Sequence, residues 1–158
     1  MKKSVFAAAL VLSTVVLAAC GETAEAPAAT EGSISGMTVT NARLVLPAVA
    51  GNPAAVYFDI AYDGDRQIAL NRATVEGAAS AEFHQYGEWA GEMQMQAMQP
   101  LPLKKGDKVK FEPGGNHLMA MEPGAALVAG GTTDVTLKVS GGATHTFPAE
   151  IRAAGEER

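Results

Sequence analysis

Along the C-terminal third of the chain, Val135, Leu137 and Val139 alternate with Asp134, Thr136 and Lys138. This is the period-two pattern of a strand with one face buried. Shorter runs rich in β-branched and aromatic residues precede it at 37–46 and 54–62, punctuated by Pro47, Gly51-Asn52-Pro53 and Asp63-Gly64-Asp65. Further strands are predicted at 67–76, 81–86, 92–98, 108–112, 117–121, 134–140 and 144–151. No window of ten or more residues carries a helical stripe. Eight or nine short strands with turn signals every 8–14 residues predict an all-β domain, an antiparallel sandwich or Greek-key barrel.

The N-terminal segment has a different pattern. Lys2 and Lys3 precede an apolar stretch, 5–19, that is too short for a comfortable membrane span and ends Leu17-Ala18-Ala19-Cys20. The junction resembles a bacterial lipobox. That resemblance implies a signal peptide over 1–19, cleavage before Cys20, and a lipid on its sulfur that anchors the protein to a membrane in the cell envelope. Residues 20–36 hold a single large apolar side chain and read as a tether. The domain is expected over 37–153, with a short tail at 154–158.

Composition narrows the function. The 158 residues are 47% hydrophobic and 18% charged, enough apolar content for one packed domain. Cleavage would remove two lysines from a full-chain charge of −5, leaving −7, and such a balance disfavours nucleic acid as a partner. Cys20 is the single cysteine, so no internal disulfide, thiolate cluster or blue-copper Cys ligand is available. Neither a Ser-His-Asp arrangement nor a phosphate-binding glycine loop is present. No enzymatic activity is expected.

Methionine is the unusual feature. Of the six methionines after Met1, five fall between Met93 and Met121, and His84 and His117 bracket or join them. His117 and Met119 share a strand face, as do Met93 and Met95. Thioether is a soft, neutral donor and imidazole a borderline one. A set of two of each suits Cu(I) over Zn(II), Mg(II) or Ca(II). Met93 and Met98 read as packing, Met121 as packing or an auxiliary donor, and His145 as structural. Tyr86 and Trp89 are placed in a loop between the first two ligands, where they anchor the loop or shield the site.

His84, Met95, His117 and Met119 reproduce the pattern H-x10-M-x21-H-x-M, with Pro113-Gly114-Gly115 just before the second histidine. In these residues the chain resembles the PCuAC-type periplasmic copper chaperones over roughly 37–152. The resemblance implies a cupredoxin-like β-barrel with those four residues holding Cu(I) near one end. It further implies delivery of copper, the binuclear copper site of cytochrome c oxidase included. The oxidase copper subunit or a Sco-type assembly protein is the expected acceptor, and the protein is expected to be a monomer. Some members of that family carry a Met/His-rich C-terminal tail for a second copper; this sequence ends Ala-Ala-Gly-Glu-Glu-Arg, and a second site is not expected. The competing reading is a copper-sequestering lipoprotein without a dedicated acceptor.

Overall fold

The computed structural model describes residues 32–156, so the expected signal peptide, Cys20 and the first part of the expected tether lie outside the described residues. Ten strands follow one another: β1 (Met37–Val45), β2 (Ala54–Tyr62), β3 (Ile68–Val75), β4 (Ala78–Trp89) and β5 (Glu92–Ala97), then β6 (Leu101–Leu103), β7 (Asp107–Phe111), β8 (His117–Pro123), β9 (Thr132–Val139) and β10 (Thr144–Arg152). Every regular element among the described residues is a strand, as the alternation predicts.

Seven strands form a ring in the order β4-β8-β2-β1-β10-β9-β3, which closes where β3 meets β4. That closure rests on a single register pair, Ala73 opposite Ala81. β5 extends β4, β6 extends β3, and β7 pairs with β2. The inward positions fill the barrel. Val135, Leu137 and Val139 are all buried, while Asp134 and Lys138 face water. At the centre Phe58 stacks on Phe111 with ring centroids 4.4 Å apart, and Phe147 lies 5.3 Å from Phe58. Stacked and tilted pairs at these distances are the favourable aromatic geometries.

Three details depart from the sequence reading. β1 and β10 run parallel, Arg43 opposite Glu150, so the barrel is not purely antiparallel. β6, which was not predicted, pairs with β3 through Leu101 and Leu103. β4 begins at Ala78 and continues to Trp89, which puts Tyr86 and Trp89 on a strand rather than in a loop. The connection to β5 is only Ala90-Gly91. Both have positive φ, 53° and 84°, as a type I′ hairpin turn requires. A two-residue turn leaves no room for the loop that was expected.

Residues 32–36, the end of the predicted tether, lie against the barrel. Ile34 is buried, its amide donates to His145 Nδ1 at 3.2 Å, and Gly32 O accepts from the Thr146 amide.

Candidate metal centre

β8 divides its side chains by alternation. Leu118 and Ala120 point into the core and are fully buried, so His117, Met119 and Met121 occupy the opposite face. Register then fixes their neighbours on β4: His84 stands opposite His117, Glu82 opposite Met119 and Ser80 opposite Met121. On the other side of β4, Tyr86 faces Met95 and His84 faces Ala97 of β5. His84, Tyr86, Met95, His117 and Met119 therefore share one face of the three-stranded layer β5-β4-β8. All four residues of the spacing pattern lie in that layer.

The closest approach is between His117 Nε2 and Met95 Sδ, 3.1 Å apart. The other nitrogen of His117, Nδ1, lies 3.0 Å from the carbonyl oxygen of Gly115. A carbonyl only accepts, so Nδ1 carries the proton, and in the neutral ring Nε2 presents a lone pair to the sulfur. His84 repeats the arrangement, with Nδ1 3.3 Å from the Glu82 carbonyl oxygen. Both rings thus have Nε2 available as a donor, oriented by a backbone carbonyl in the manner of metal-ligating histidines. Two electron-pair donors aimed at each other gain from a cation between them. Metal–nitrogen and metal–sulfur bonds of ~2.0 and ~2.3 Å at a tetrahedral ion would set such a pair ~3.5 Å apart. Met95 reaches that separation by a small rotation of an unbranched, half-exposed side chain.

The backbone before β8 explains how His117 is aimed. Gly115 N–H donates to Glu112 O at 3.0 Å, closing a turn with Pro113 and Gly114 at its centre. Gly114 has φ 80°, the value a type II turn needs at its third position, and glycine takes it without strain. Asn116 bridges to Phe111, and Glu112 N–H donates to Asn116 O at 2.8 Å. The Pro-Gly-Gly sequence therefore delivers the Gly115 carbonyl to His117. The sequence reading had no means of finding this carbonyl, since a backbone acceptor has no residue-type signature.

Burial and charge vary across the site. His117 is 6% exposed, while Met95 and Tyr86 are each 45% exposed and the Tyr86 ring centroid lies 5.5 Å from that of His117. β4, β5 and β8 carry Glu82, Glu88, Glu92 and Glu122 and not one lysine or arginine. Among the described residues no three His, Asp or Glu side chains cluster as a harder ion would need. Met98 packs against the core, in keeping with its predicted role, whereas Met93 is exposed instead of packed. His145 sits on β10 with Nδ1 accepting from Ile34, and burial lowers its pKa below the usual 6.5.

The profile of the LpqE-like family matches residues 37–151, which spans most of the chain and the whole barrel. The chain belongs to the LpqE-like family. No curated protein matches it. Among solved structures, the LpqE-like barrel is similar to the copper-bound PCuAC domain from PmoF2, with TM-score 0.62 and 19% identity over 77% of this chain and 96% of that one. It is similar to the apo PCuAC domain from PmoF1, with TM-score 0.62 and 23% identity over 77% and 97%. It is also similar to the solution structure of CuI-DR1885 from Deinococcus radiodurans, with TM-score 0.54 and 24% identity over 84% and 85%. The fold of this LpqE-like protein is thus that of PCuAC domains, as the sequence resemblance implied.

Proposed function

We propose that this protein is a Cu(I)-binding metallochaperone of the cell envelope, which takes copper as cargo at His84, Met95, His117 and Met119 and passes it to a cuproenzyme. The observation that carries the reading is the 3.1 Å approach of His117 Nε2 to Met95 Sδ, on a face shared with His84 and Met119. Copper in two of the similar solved domains supports the choice of ion. The donor set gives the same preference, because two thioethers and two imidazoles add no charge and so favour a +1 ion of soft character.

Delivery, rather than storage, fits the exposure gradient. Copper would be held between a buried imidazole and a half-exposed thioether, with one side open to an incoming ligand. Neutral thioethers exchange singly and need no proton to leave. The binuclear copper site of cytochrome c oxidase, reached directly or through a Sco-type assembly protein, is the acceptor we propose, and lipidated Cys20 is the anchor.

The test is to load the mature chain with Cu(I) and record X-ray absorption, where both sulfur and nitrogen neighbours are expected and Zn(II) should bind far more weakly. A shell of oxygen and nitrogen alone would refute the site. Mixing the loaded protein with an apo oxidase copper domain should give a transfer rate that rises with acceptor concentration. A rate pinned at spontaneous dissociation would favour sequestration. Cys20→Ser should abolish lipid labelling.

A further inference from the structure

We infer that Met93 is a second, outward thioether that takes Cu(I) from the central site during hand-off. The inference rests on the Cu(I) reading above and adds a ligand to it. β4 and β5 extend past the first residue of β8, because His84 is the last β4 residue paired with β8 while β5 pairs with His84 through Trp89. From Tyr86 to Met95 the chain is a two-stranded arm projecting beyond the ring. Met93 lies on this arm two residues from Met95, hence on the same face and ~7 Å farther along the strand. Glu88 stands opposite it.

Packing does not account for Met93. It is 64% exposed, whereas Met98 and Met37 rest against or within the core. Exposure rises from His117 on β8 to Met95 and then Met93 on the arm, which orders these three from inside to outside. Carboxylates flank the path at both ends on this face, Glu82 opposite Met119 and Glu88 opposite Met93, and no basic side chain on β4, β5 or β8 repels a +1 ion along it. Both methionines are unbranched and flexible, so their sulfurs can close the gap and share one ion. The step is a ligand exchange. A Cu–Sδ bond to Met93 forms as a bond to an inner donor breaks, copper stays Cu(I), and no proton or electron moves.

The experiment uses the mature chain loaded with one equivalent of Cu(I), challenged in stopped flow with the chelator bicinchoninate. Met93→Leu preserves shape and removes the donor. It should lower the extraction rate about tenfold while equilibrium affinity stays within about twofold, since exchange kinetics and affinity separate when only the exit ligand is lost. Met93→His, which restores a donor, should recover most of the rate. A Met93→Leu rate within about twofold of the unaltered protein would overturn the inference while leaving the central site intact. A loss of affinity as large as that of Met95→Leu would also overturn it, making Met93 a resident ligand. If the unaltered chain takes up no Cu(I), the central site falls first and this inference with it.

Discussion

His84 and His117 face each other across the β4–β8 pairing with ring centroids 6.1 Å apart and planes inclined by 24°. Each points Nδ1 at the carbonyl two residues before it, Glu82 and Gly115 respectively. The two Nε2 atoms are thereby set by backbone geometry rather than by other side chains. The proposed coordination site is thus rigid on its imidazole side and adjustable on its thioether side.

That asymmetry separates ligands from packing. Met95→Ala and Met119→Ala should each weaken Cu(I) binding by more than the ~10–100-fold that follows loss of a ligand's outer partner. Met98→Ala should leave the affinity nearly unchanged and lower stability by about 2 kcal/mol, the small end for a methionine packed on a core. Competition titrations with a Cu(I) chelator and thermal melts measure the two effects. Equal losses of affinity at Met95 and Met98 would mean that the face of β5 is misassigned.

Leu118 gives the converse. It sits between two donors, yet it is fully buried. Leu118→Ala should destabilise the fold by about 2–5 kcal/mol. The folded fraction should still bind Cu(I), because no donor is removed. Denaturant unfolding with and without Cu(I) separates the terms.

The arm carries a correctable strain. Ala90 has φ 53°, a left-handed conformation that costs a non-glycine residue about 1–2 kcal/mol. Asn at this position ahead of Gly91 matches the favoured type I′ pair. Ala90→Asn should raise the melting temperature by a few degrees and slow amide exchange across β4 and β5. Ala90→Val should do the opposite.

Acid should loosen the N-terminal edge of the barrel. Burial disfavours the charged form of His145, so its folded pKa lies below 6.5, and Nδ1 must stay unprotonated to accept from Ile34. Above 6.5 the ring is neutral in both folded and unfolded chains and its contribution is complete. As pH falls below 6.5 the unfolded chain takes up the proton first, and stability declines until the folded form protonates as well. Melting curves between pH 7.5 and 5 should show this slope, and His145→Gln should flatten it.

Much of the architecture was legible in the letters because alternation survives wherever one strand face is buried. β9 and β10 show this best, and the outcome at Val135, Leu137 and Val139 follows from period two alone. β6 escaped because three residues, one of them Pro102, are too few to display a period. The parallel contact between β1 and β10 escaped because pairing direction leaves no local mark. The arm was misread for another reason. Gln85, Gly87 and Glu88 look like loop residues, yet they form a ribbon with water on both sides, where burial cannot impose alternation. Of the candidate site, spacing picked out four residues that strand register brings to one face, while the carbonyls of Glu82 and Gly115 that orient the rings needed the backbone to be seen.

The fully buried Leu118 between His117 and Met119 has a practical consequence for redesign. From His117 to Met121 the odd positions of β8 belong to the proposed metal face and the even ones, Leu118 and Ala120, to the core, so Met119 can be exchanged without removing a core side chain. Replacing Met95 and Met119 with histidine would turn a soft set into a borderline one on the same scaffold, moving its preference from Cu(I) toward Cu(II) and Zn(II). This strand is a two-track tape on which metal selectivity can be rewritten while the structural record is left as it stands.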